Sequence, residues 1–189
     1  KQFRLSEPQN IVIQNLSNGD DTEVNFGLLD DGFGSGLGYP QAPENILVMV
    51  ENVLQIPNTN YTLTQNPCDV NSNIISAVRD YNSTGVGAFV SANAALIDWQ
   101  SKGYHIGQEI VVTGSQTNNG TYTVTAVTPS HLSVDQLLFT EANSVGGNTF
   151  NVDGKSSITN ASYPSGQYIT FGTAVPTGKP VTVLHNFDK

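Results

Sequence analysis

Along almost the whole chain, apolar runs of five or six residues are closed off by Asn, Gly or Pro before a helix of ordinary length can form. That punctuation selects short strands joined by turns, and it points to an all-β fold. Composition agrees. Hydrophobic residues make up 38% and charged residues only 12% of the 189 positions, so Asn, Thr, Ser and Gly keep the surface wet. Such residues belong to turns and to the solvent side of strands.

Two runs near the start, "IVIQNL" and "TEVNF", flank the polar turn "SNGDD" and read as two strands. "ILVMV", Ile46 to Val50, has no polar alternation, which predicts a strand covered on both faces by the protein's own layers or by another subunit. The stretch that follows, "ENVLQIPNTNYTLTQN", reads as strand, turn and strand. Asn52 and Asn58 stand where its turns need positive φ. Its grammar resumes only at "YITFGTAVPTGKPVTVLH", about a hundred residues later, with Val181 and Val183 expected on one side of the closing strand. Two units follow from this interruption: a β-sandwich-like host of residues 1–66 plus 162–189, and a small β-barrel or β-sheet unit of residues 67–161 inserted into it. Within the insert, "SANAALIDWQSKG" predicts one short helix with Asn93 as cap and Gly103 as stop. "VVTGSQTNNGTYTVTAV" predicts a hairpin about Asn119-Gly120, and "HLSVDQLLF" and "NTFNV" add strands.

Several function classes find no support. The net charge of −9 and seven scattered basic residues argue against binding nucleic acid, where phosphates need clustered Lys and Arg. No apolar run approaches the ~18 residues of a helical membrane span. His105, His131 and His185 are far apart, and Cys68 is the single cysteine, read as a buried thiol. Neither a nucleophile elbow nor a metal-ligand spacing occurs, so no catalytic residue, cofactor or metal is expected. Asp30 and Asp31 before alternating glycines faintly echo a calcium turn and are read as an acidic loop. Tyr39, Tyr61, Tyr81, Trp99, Tyr104, Tyr122, Tyr163 and Tyr168 offer rings for stacking a host surface glycan, a role that core packing rivals.

The interrupted segments "VMVENVLQIPNTNYTL" and "YITFGTAVPTGKPVTVLH" resemble a unit of tailed-bacteriophage virion proteins, above all the N-terminal attachment regions of podovirus tail fibres. That unit runs as "VNGVLQ", a "PG.DYT" turn, "ITF", "APP.G" and a closing "V.V". Here Glu51-Asn52 replaces Asn-Gly, Asn58 replaces Gly, and Ala174-Val175-Pro176 replaces Ala-Pro-Pro. "GYHIGQEIVVTGSQTNNGTYTVTAVTPSHLSV" likewise resembles a small β module of phage structural proteins. The resemblance implies a non-enzymatic virion component, assembled in the host cytoplasm, that acts in assembly and attachment as a tail-fibre or tail-appendage piece. Capsid decoration and glycan binding are the rival roles. Its partners would be other virion proteins and copies of itself, a trimer if the chain belongs to a fibre. Ile46, Val48, Val50, Val53, Leu54, Tyr61, Phe171 and Val181 are the residues expected to pack against a subunit or partner.

Overall fold

The computed structural model describes residues 11–29, 42–83, 85–93, 95–142 and 149–185. Three antiparallel sheets account for its strands. The first has the order β1 (Val12–Asn18), β14 (Pro180–His185), β3 (Leu47–Val50) and β4 (Val53–Leu54). The second is β2 (Asn25–Phe26), β13 (Gln167–Phe171) and β5 (Tyr61–Gln65). The third runs β6 (Asp69–Ser72), β12 (Phe150–Gly154), β9 (Glu109–Thr113), β10 (Gly120–Val127), β11 (His131–Val134), β8 (Ala88–Ser91) and β7 (Ile75–Val78).

The first two sheets face each other across one apolar core. Val48, Val181 and Val183 from the first sheet meet Phe26, Tyr61, Ile169 and Phe171 from the second. Phe171 stands edge-on to Phe26 at 5.6 Å and to Tyr61 at 6.3 Å between ring centroids. In β14, Val181 and Val183 point inward and Thr182 and Leu184 outward, as the alternation of "PVTVLH" predicts. The long sheet curls round a core of its own that includes Phe89, Trp99, Ile110, Leu132 and Phe150. Its two edge strands, β6 and β7, are consecutive in sequence, so the curl nearly closes on itself.

Turn chemistry places the first sheet's hairpin. Glu51 and Asn52 both have positive φ, 49° and 65°, the pattern of a two-residue turn whose twist suits β3 and β4. A Lys179–Glu51 ion pair at 2.6 Å braces it from β14's side. Replacing Asn52 with Gly should raise the stability by about 0.5 kcal/mol, since Gly adopts this backbone without steric cost. Urea unfolding with an unchanged slope is the measurement, and a lower midpoint would contradict it.

Several expectations need correction. "ENVLQIPNTNYTLTQN" is not one hairpin, because β4 ends the first sheet and β5 edges the second; Ile56 to Asn60 carry the chain from one to the other. Each separated half therefore supplies strands to both sheets, β5 pairing β13 and β3 pairing β14. The helix expected over "SANAALIDWQSKG" is a set of single turns instead. Asn93 accepts from the Ala95 amide through Oδ1 at 3.0 Å, and Gly103 turns at φ 81°. Between them Ile97 and Trp99 are drawn into the core, which no continuous helical face permits here. Asn119-Gly120 is not a two-residue turn either. Gly120 already lies in β10 opposite Val112, and the Asn119 amide clasps both the N–H and the C=O of Ser115. The strand expected at "NTFNV" does form, as β12 between β6 and β9. The acidic loop with Asp30 and Asp31, and Tyr39, lie outside the described residues.

Candidate functional site

Within this chain, covering on both faces belongs to β13, while β3 is covered on its inner face. Tyr168, Ile169, Thr170 and Phe171 are all buried, because one side of β13 meets the sandwich core and the other meets the insert. On that second side Thr170 Oγ1 donates to Asn25 Oδ1 at 2.9 Å, and Asn25 Nδ2 donates to the Gly103 carbonyl at 2.9 Å. Gly103 admits no side chain, since a Cβ there would lie 2.3 Å from Asn25 Oδ1. Cys68 is fully buried beside these groups, with Gln108 Nε2 at 3.2 Å, and burial pushes its thiol well above the usual range. It is a packed thiol rather than a reactive one.

The densest polar cluster at this junction surrounds Glu23, which is fully buried. One carboxylate oxygen accepts from the amides of Val24 and Asn25 and from Tyr163 OH at 2.7 Å. The other accepts from Ser156 Oγ at 2.8 Å and from the amide and hydroxyl of Ser157. Every one of these partners donates, and both carboxylate oxygens accept. A host residue thereby grips the segment that leads back from the insert. His105 lies close by, and burial lowers its pKa against the pull of Glu23, so the ring is neutral near pH 7.

A second carboxylate organises the insert. Glu141 accepts from Ser115 Oγ at 2.6 Å, the Gln116 amide at 2.9 Å and Asn118 Nδ2 at 3.0 Å, while its backbone bridges to Ala77. Burial opposes its charge, but the Gln116 amide and the Ser115, Asn118 and Thr117 side chains prevail and hold its pKa below the usual carboxylate range. Its stabilising contribution is complete above the unfolded-state pKa of about 4.3 and vanishes as pH falls through the lower folded value. Glu141→Gln should therefore cost about 2 kcal/mol at neutral pH and flatten the acid limb of the stability curve. Equal acid limbs in the two proteins would contradict this.

Among the described residues no three His, Cys, Asp or Glu side chains are grouped to hold one ion. His131 stacks near Tyr81 and bonds Thr128, His185 is buried in the sandwich, and His105 lies at the junction. A cleft of about 300 Å³ between the units is lined by Gln100, Tyr104, His105, Ile106, Thr170 and Phe171, without a carboxylate or a second base to make a catalytic pair. Five of the eight rings read as a stacking surface are not presented to solvent. Tyr61, Trp99, Tyr104 and Tyr122 are buried in the two cores, and Tyr168, itself in β13, is buried against Tyr163.

The residues expected to pack against a partner divide. Ile46, Val48, Tyr61, Phe171 and Val181 are buried in the host's own core, and Val50 packs against it. The sandwich has two inner faces to fill, and these side chains fill them. Val53 and Leu54 remain exposed. Leu54 joins the outer face of the first sheet, which no layer of this chain covers among the described residues. Register puts Ile13, Leu184 and Leu47 in one row across three strands, and Asn15, Thr182, Met49 and Leu54 in the next across four. Ile13 is 68% and Leu54 58% exposed, with Leu47 at 43%. The signal was present in "ILVMV", whose odd positions are as apolar as its even ones.

Comparison with protein-family models, curated proteins and solved structures gave no match to this chain.

Proposed function

We propose that the chain is a structural component of a tailed-phage virion, a tail-fibre or tail-appendage piece that acts in assembly and attachment rather than in catalysis. The observation that carries the reading is the reunion of the two motif halves. "NYTLT" and "YITF" pair as β5 and β13 from Tyr61↔Phe171 to Gln65↔Gln167, and "ILVMV" pairs "PVTVLH" as β3 and β14. Positive φ at Asn52 and Asn58 supports it too, since these positions answer to the Gly-bearing turns of the resembling unit. The buried, fully hydrogen-bonded Glu23 at the junction suits a part that holds its two units together instead of closing on a substrate. Other virion proteins are its partners in this reading.

Counting copies per particle by gel densitometry, with the labelled chain located by electron microscopy, tests the proposal. A low copy number fixed by tail symmetry is expected. A copy number that tracks the capsid lattice would replace it with a decoration role. Retention or cleavage of host polysaccharide by the isolated chain would replace it with a glycan-directed one.

A further inference from the structure

The outer face of the first sheet presents an imbalance. Its rows Ile13–Leu184–Leu47 and Asn15–Thr182–Met49–Leu54 contain no charged side chain, although the chain carries a net charge of −9. Ile11 and Ile56, 52% and 59% exposed, extend the apolar surface at its margins. The host's other sheet is covered on both sides, by the sandwich core and by the insert. Alone of the host's sheet faces among the described residues, this one is uncharged and largely apolar with no layer over it.

We infer that this face is where a second copy of the chain docks, sheet against sheet. Two arguments select a copy over another occupant. The first is charge. Identical copies at −9 repel wherever their acidic surfaces meet, so a contact between them must be uncharged on both sides, as this face is. A basic partner would instead be met by the acidic surface elsewhere. The second is area. Ile11, Ile13, Leu47, Leu54 and Ile56 each withdraw roughly 100 Å² of apolar surface when covered, which makes about 1,000 Å² for a pair of faces, the size at which specific interfaces begin. Face-to-face sheets pack about 10 Å apart with strands nearly aligned, and two uncharged rows, apolar except at Asn15 and Thr182, suit that geometry. The inference rests on this face alone and does not need the virion reading. A chain with another role would still pair through it.

Sedimentation velocity of the full chain, from micromolar to near-millimolar concentration, tests it. Reversible self-association is expected, and it should tighten as salt is added, because salt screens the mutual repulsion while the apolar contact persists. Ile13→Glu with Leu54→Glu should weaken association roughly 100-fold, since each copy then buries two like charges against its mate. Both positions are more than half exposed, so the folded chain should keep its melting temperature. If the double Glu protein fails to fold, Ile13→Gln with Leu54→Gln gives the same reading at roughly a tenfold loss. A wild-type chain that stays monomeric throughout, an association that weakens with salt, or an oligomer untouched by substitutions in a folded protein would each overturn the inference.

Discussion

Replacing Glu23 with alanine is expected to lower stability by about 4 kcal/mol, the largest effect of any single polar substitution proposed for this chain. The side chain is fully buried and accepts from the amides of Val24, Asn25 and Ser157 and the hydroxyls of Ser156, Ser157 and Tyr163. Truncation leaves these donors without an acceptor in a place that water reaches poorly. Glu23→Gln keeps the volume but puts an NH₂ group where donors point, so about half of the loss, about 2 kcal/mol, should remain. The substitution should also loosen the joint between the units. Trp99, the single tryptophan, lies in the insert's core, so its fluorescence reports on that unit while far-UV circular dichroism reports on all strands. The two urea transitions should coincide in the wild type and separate in Glu23→Ala. A loss below about 1 kcal/mol would show that the cluster is a surface network in practice.

The second large effect is at Phe171, a residue that sequence reasoning offers to a partner and the structure gives to the host's own core. Phe171→Ala should cost about 4 kcal/mol, from lost transfer energy plus the cavity left between Phe26 and Tyr61. For a chain of this length that corresponds to a fall of roughly 10 °C in Tm. Because the contact is intramolecular, the fall should be the same at every protein concentration. A deficit that shrinks as concentration rises would mean that Phe171 is buried by a second subunit instead.

The contrast between Phe171 and Leu54 shows how far these residues can be read without coordinates. Period-two alternation and turn chemistry are local, and they told strand from turn in "PVTVLH" and gave positive φ at Asn52 and Asn58. Which layer covers a strand is not local. Within the chain β13 is covered on both faces, since the Thr170 side meets Asn25 and through it Gly103 of the insert, whereas β3 from "ILVMV" is covered on one. The expected helix fails for a similar reason: Asn93 caps and Gly103 stops, but Trp99 and Ile97 are wanted in the insert's core from a path that a helix would not follow. Glu23 carried no sequence signal at all. A carboxylate in "TEVNF" looks like the solvent side of a strand, and its partners Ser156, Ser157 and Tyr163 stand more than 130 positions away.

The crossing between the units has a consequence for the order in which the molecule is made. Asn66 donates its amide to the Gly166 carbonyl, and the Gly166 amide returns a bond to Asn66 Oδ1, both at 2.8 Å. Everything between these residues is insert and its connecting segments, and β13 and β14 leave the ribosome after it. β5 must therefore wait through about a hundred residues of synthesis for its partner. Bringing two points together across an unstructured loop of that size costs about 4 kcal/mol in chain entropy, whereas an insert already folded holds them side by side. The insert is then the scaffold on which the host closes, and refolding should show the Trp99 signal settling before the last β-structure forms. A host that completes its far-UV signal before Trp99 is buried would reverse that order.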